Sequence, residues 1–180
     1  MKQILKRLIF RIARSKPGGW MIWFILRYFP YLIPYKKLYQ DDFIIAISHP
    51  LPSYPVHILI LPRIYLPEFL ALDMQTETGK KIVQSLFQAL GVLLKGFEHK
   101  NIQLVINGGD YQDVKLLHMH LIESEIKKEK FEILYTNNTN KGLSDLFTQI
   151  NKRLHNSNGA AYRLLFSFNE NRIQLQILIN

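Results

Sequence analysis

The order in which two hydrophobic periodicities follow each other restricts the fold of this chain more than any other feature. FIIAIS (43–48) and HILIL (57–61) are short apolar runs of strand length bounded by turn residues. The connector between them, HPLPSYP, holds Pro50, Pro52 and Pro55, which have no N–H to donate and so confine pairing to the flanks. The period then changes. Residues 78–97 set Ile82, Val83, Leu86, Leu90, Leu93 and Leu94 on one broad face of a helix, which Gly79 and Gly91 weaken only slightly. Two more strands follow, IQLVIN (102–107) and LLHMHLI (116–122), joined by the loop GGDYQDV, and FEILY (131–135) is a fifth. This order predicts an α+β fold, an antiparallel sheet of about five strands with one long helix on a face.

The remainder of the chain is organised around that unit. NNTNKG (137–142) predicts a polar linker, residues 143–154 an amphipathic helix, and YRLLFSF and IQLQILI a hairpin about Asn169–Arg172. Helix–strand–turn–strand is also the order of residues 78–122. A plain extension of the sheet is the favoured reading, and a degenerate half-repeat without histidines is the other. The expected organisation is an N-terminal segment 1–37, a main domain 38–136 and a C-terminal helix–hairpin extension 137–180.

Charge separates the first of these from the others. Residues 1–37 carry nine Lys or Arg and no Asp or Glu, whereas the remaining 143 residues carry fourteen of each sign. The net charge of +9 therefore lies in the first fifth of the chain. This predicts an anionic surface met by the N-terminal segment and argues against a specific nucleic-acid partner. Residues 2–14 predict an amphipathic helix, with Ile4, Leu5, Leu8, Ile9 and Ile12 on one stripe and Lys6, Arg7, Arg11 and Arg14 opposite. KPGG (16–19) predicts a break. The apolar run 20–34 contains Arg27, Pro30 and Pro34 and falls short of the ~20 residues of a spanning helix. No small-residue cleavage site follows it. The absence of cysteine excludes disulfides, thiolate ligands and a thiol nucleophile, and fits a reducing compartment. The expected location is cytoplasmic, peripheral on the inner face of a membrane.

Chemistry concentrates in LLHMHLI. Side chains alternate along a strand, so His118 and His120 share one face with Leu116, while Leu117, Met119 and Leu121 turn to the other. Two imidazoles on one face fit a solvated surface pair, a phosphoryl-gripping site or a metal site. A metal is disfavoured because no Cys and no nearby carboxylate shares the face, and no cofactor is expected.

QDVKLLHMHLI (112–122) resembles the signature of the histidine triad (HIT) superfamily, Gln-x-Val-x ahead of His-φ-His-φ-His-φ-φ, through Gln112, Val114, His118, His120, Leu121 and Ile122. PVHILILPR (55–63) is similar to the family's Pro-Gly-His strand segment, KKLYQDDFIIAI (36–47) to its first strand entry, and LVING (104–108) to the strand ending in Asn. The resemblance is collinear over about residues 25–123. It implies a nucleotide or phosphate-ester hydrolase or transferase, or a phosphoramidase, in which His118 attacks phosphorus. The alternative is a catalytically decayed nucleotide- or phosphate-binding module. The resemblance also gives His120 a role in holding phosphate oxygens, His57 a place in the site wall, Gln112 a contact near the bridging oxygen and Asn107 one near the leaving group. It implies a homodimer with a continuous sheet, whose edge the C-terminal hairpin either caps or alters.

The chain departs from the family pattern twice. Leu116 stands at the first triad position, where the family uses the backbone carbonyl to orient the nucleophile; leucine keeps that carbonyl. His49 aligns with the acidic residue that binds ribose, and a histidine cannot accept from two hydroxyls as a carboxylate does.

Overall fold

The structure, a computed structural model, describes residues 11–15, 17–29, 31, 36–97, 101–124, 132–137, 140–157, 161–169 and 172–179. The elements are α1 (Gly18–Tyr28), β1 (Lys37–Gln40), β2 (Ile44–Ser48), β3 (His57–Pro62), α2 (Glu77–Leu93), β4 (Ile102–Gly109), β5 (Met119–Glu123), β6 (Glu132–Asn137), α3 (Asn140–Asn156), β7 (Ala161–Asn169) and β8 (Arg172–Ile179). The strands form one antiparallel sheet in the order β1-β2-β3-β5-β4-β7-β8-β6. The α+β class is as expected, but the sheet has eight strands rather than about five. The C-terminal hairpin lies directly on β4, and β6 crosses to the far side of that hairpin, so the extension widens the main sheet. Such non-local pairing leaves no trace in local periodicity.

One face of the sheet carries the main core. Ile58 and Ile60 of β3, Leu104 and Ile106 of β4, Met119 and Leu121 of β5, and Leu164 and Phe166 of β7 pack there with Ile82, Leu86 and Leu90 of α2 and Phe147 and Ile150 of α3. Alternation within each strand sends these residues to one side and their neighbours to the other. Thr76 caps α2 by accepting from the Gly79 N–H at 3.0 Å.

α1 covers part of the second face. Its Leu26 is buried with Ile45, Ile47, Leu61 and Leu116, and Ile22 and Trp23 pack against this cluster. Trp23 Nε1–H donates to the Arg63 carbonyl at 3.1 Å. The expected break at residues 16–19 is shorter than KPGG, because Gly18 and Gly19 are already helical. Gly19 is required by close approach: a Cβ there would overlap the Lys115 carbonyl. Arg14 pairs with Asp113 at 2.8 Å on the exposed side of the same loop. Most of the expected helix 2–14 lies outside the described residues; residues 11–13 are helical, with Ile12 exposed and Ala13 buried. Among the described residues no helix is long and apolar enough to cross a membrane.

A candidate active site of four histidines

β5 begins at Met119, three residues later than LLHMHLI predicts, because the 110–118 loop is held by side-chain bonds instead of a ladder. Gln112, almost fully buried, donates from Nε2 to the carbonyls of Pro67 and Val114 at 2.7 Å and Leu116 at 3.0 Å. Its nitrogen is thereby committed to the backbone and clamps this loop, while its Oε1 accepts no hydrogen bond from the described residues. Leu116 and Leu117 precede the strand and point to opposite faces, Leu116 under α1 and Leu117 into the main core.

His118 and His120 lie on the α1 side of the sheet, their ring centroids 5.0 Å apart. β3 adds His57, whose ring centroid is 5.2 Å from that of His120. The turn after β2 adds His49, stacked on His57 with centroids 3.8 Å apart and planes within 8°. The site is therefore a cluster of four imidazoles. Asn107, on β4, sits one register step past the Ile106↔Met119 pair, the position that faces residue 118. Its Oδ1 accepts from Arg163 Nε at 2.9 Å.

The backbone fixes the protons of these rings. Leu51 N–H donates to His49 Nδ1 at 3.1 Å, and Ser53 N–H donates to His57 Nδ1 at 3.2 Å. A nitrogen that accepts carries no hydrogen, so in each neutral ring the proton is on Nε2. His57 Nε2–H then donates to His120 Nδ1 at 3.0 Å, which moves the His120 proton to Nε2 as well. His118 is opposite: Nδ1 lies 2.7 Å from the Leu116 carbonyl, an acceptor only, so the proton is on Nδ1 and Nε2 keeps its lone pair. The cluster presents one basic nitrogen among rings that offer N–H groups.

Burial keeps all four rings neutral. Desolvation, with the neighbouring imidazoles adding to it, pushes His49 down to about 4 and His120 down to about 3. His57 is lowered by desolvation alone. His118 is lowered by desolvation against the opposing pull of the Leu116 carbonyl and Asp113.

His49, His57 and His120 can each bring one nitrogen within 4.8 Å of the others, a spacing a metal ion tolerates. Their protonation opposes it. The Nε2 atoms of His49 and His57 carry hydrogens because their Nδ1 atoms accept from backbone amides. Ligation through Nε2 would need a proton on Nδ1, facing an amide hydrogen. The cluster suits an acceptor-rich ligand better than a cation.

Of the residues singled out in the sequence, His49, His57, His118 and His120 form one cluster, Asn107 borders it, and Gln112 lies in the loop beneath. Arg163 and the tautomer-setting amides of Leu51 and Ser53 had no sequence signal, since each acts through three-dimensional register or turn geometry.

Residues 32–126 match the family model described as HIT domain. The purine nucleoside phosphoramidase of Escherichia coli (strain K12) is 32% identical over 97 residues, covering 50% of this chain and 76% of its own. Protein pkiA of Dictyostelium discoideum is 29% identical over 99 residues, covering 50% and 73%. Among solved structures, a HIT family hydrolase from Clostridium thermocellum has a TM-score of 0.50 and 25% identity, covering 61% of this chain and 94% of that one. A DUF4931 family protein from Bacillus cereus has a TM-score of 0.57 at 10% identity over 79% of this chain and 84% of its own, a likeness of fold alone.

Proposed function

This chain belongs to the HIT domain family, and from that premise we propose that it is a hydrolase or transferase acting at the phosphorus of a nucleotide or related phosphate ester, with His118 as the nucleophile. The observation that carries this reading is the 2.7 Å contact of His118 Nδ1 with the Leu116 carbonyl, which leaves the Nε2 lone pair for attack. The first triad histidine is replaced by leucine, but the group that orients the nucleophile belongs to the backbone.

The reaction runs in two displacements. His118 Nε2 forms a bond to phosphorus as the bond from phosphorus to the leaving group breaks; the leaving group takes that electron pair and a proton from solvent. A water oxygen, or an acceptor hydroxyl in a transferase, then attacks phosphorus. The N–P bond breaks, its electron pair returns to Nε2, and the attacking group's proton passes to solvent. The His120 Nε2–H is a donor to phosphoryl oxygens, and one such contact is worth roughly 10²–10³-fold in rate. His49, with its proton fixed on Nε2 by the Leu51 amide, is also a donor.

The test is ammonia release from adenosine 5′-phosphoramidate by the wild-type chain and by His118→Ala. The expected result is turnover that His118→Ala abolishes. Indistinguishable rates would replace the enzyme by the catalytically decayed nucleotide- or phosphate-binding module, to be followed by AMP titration.

A second reading concerns location. The outward side of α1 leaves Trp20 and Tyr28 at 50% and 56% exposure, Tyr31 beyond the helix is 72% exposed, and Trp20 stacks on Phe24 at 5.4 Å. These aromatics belong to the segment that holds nine cations and no acid. Interfacial rings beside cations suit reversible attachment to an anionic bilayer, and we place the protein peripherally on such a surface.

A further inference from the structure

We propose that Arg163 is a positioning residue for the leaving-group side of the site, supplied by a C-terminal half that occupies the place of a second subunit. The half-site geometry stands by itself; the role in leaving-group departure rests on the function proposed above.

Beyond α1, β1 and β2, the described elements form two βαββ units laid edge to edge. The first is β3–α2–β4–β5 and the second β6–α3–β7–β8. β3 and β6 each have six residues, and α2 and α3 each have seventeen. The inner six strands run β3-β5-β4-β7-β8-β6, which reads the same from either end when each strand is replaced by its counterpart. Every neighbour is antiparallel, and both helices pack on one face. A local two-fold axis therefore passes near Ile106↔Leu164, the middle of the β4–β7 ladder. This is the arrangement of an isologous dimer interface, made within one chain. The second unit keeps the scaffold without histidines on its sheet: Gln174 and Gln176 of β8 lie on the sheet face where β5 carries His120.

What the second unit gives the site is Arg163. It is paired in register with Asn107, its guanidinium carbon lies 5.5 Å from the Tyr111 ring centroid, and its Nε donates to Asn107 Oδ1 at 2.9 Å. This bond fixes the Asn107 amide flip. The reverse flip would aim an NH2 group at a guanidinium, which has no acceptor. With Oδ1 held by Arg163, the Nδ2 hydrogens turn away from it, and Asn107 is presented as a donor beside the His118 position. A donor there stabilises the electron pair that a departing group takes from phosphorus, most strongly when that group is a poor one.

Three measurements on the full chain decide this. Sedimentation velocity is expected to give a monomer near 21.2 kDa at every concentration; a two-fold larger species would overturn the substitution for a second subunit. In ¹⁵N spectra, the Asn107 side-chain amide pair, identified by its loss in Asn107→Asp, is expected to collapse toward free-amide shifts in Arg163→Ala; an unmoved pair overturns the positioning. Across nucleoside phosphoramidates of increasing amine basicity, Arg163→Ala is expected to lower kcat about tenfold or more for the poorest leaving groups and little for the best, with KM unchanged. A loss uniform over the series marks a merely structural residue and overturns the proposal. A wild type without turnover defeats the enzyme reading and, with it, the leaving-group role, while the first two measurements still judge the geometry.

Discussion

Replacing Leu116 by histidine would place three histidines at alternate positions 116, 118 and 120, and the structure predicts that it weakens the protein without improving it. The Leu116 side chain is 1% exposed and packed with Leu26, Ile45, Ile47 and Leu61 beneath α1. Fully burying a leucine contributes about 1.5–3 kcal/mol, and an imidazole left there without a partner costs about 1–3 kcal/mol in desolvation. The combined loss is about 2.5–6 kcal/mol, a large share of the roughly 5–15 kcal/mol that holds a domain together. With a urea m-value of about 2 kcal/mol/M, the unfolding midpoint falls by about 1.3–3 M. Turnover per folded molecule is expected to stay at the wild-type level, because His118 and Gln112 both bond to the carbonyl of residue 116 and not to its side chain. The assay is urea unfolding followed by the fluorescence of Trp20 and Trp23, with kcat corrected for the folded fraction. Leu116→Met, close to leucine in volume, serves as the control and is expected to cost under about 1.5 kcal/mol. A Leu116→His protein with an unchanged midpoint and a several-fold higher kcat would refute this account, since the side chain would then act on the chemistry directly.

Other expectations concern different parts of the molecule. The acid limb of kcat/KM should fall below pH 6.5, because burial lowers the pKa of His118 and keeps Nε2 unprotonated there; a limb above the ordinary histidine value contradicts this. Folding stability should be full above pH 6.5 and decline as pH falls toward about 4 and about 3, because the unfolded chain binds protons that native His49 and His120 refuse; a flat urea midpoint between pH 7 and pH 4.5 excludes it. Gly19→Ala should destabilise the chain and loosen α1, since the added Cβ meets the Lys115 carbonyl, and limited proteolysis after residue 17 reads this out. Binding to phosphatidylserine vesicles should weaken with salt and disappear when residues 1–19 are removed; salt-independent or undiminished binding counts against membrane attachment through this segment.

Local patterning carried much of this in the sequence. FIIAIS, HILIL and IQLVIN are strands within two residues of their expected bounds, and the spacing from Ile82 to Leu94 marks α2. Alternation about Met119 also sorted the histidines from the core residues. Three features were not legible. α1 opens on two glycines in a run bordered by Pro17 and Pro30, where propensity is a poor guide and the decisive factor is an apolar patch on the distant strands β2 and β3. The β4–β7 ladder joins residues about sixty positions apart, and nothing local in YRLLFSF specifies that partner. The proton positions of His49, His57 and His120 depend on amides contributed by Leu51 and Ser53, which align with Nδ1 only once the proline-rich turn has closed.

The β4–β7 ladder also decides how the site responds to dilution. Where two separate chains meet, their contact obeys mass action and comes apart below some concentration. Asn107 and Arg163 belong to one covalent chain and are joined through seven consecutive register pairs. Their encounter is first order, with an effective concentration set by the connecting segment and not by the number of molecules in the tube. The specific activity of this protein should therefore be the same at nanomolar and at micromolar concentration, and the arginine arrives at the asparagine at the rate of folding, not of collision.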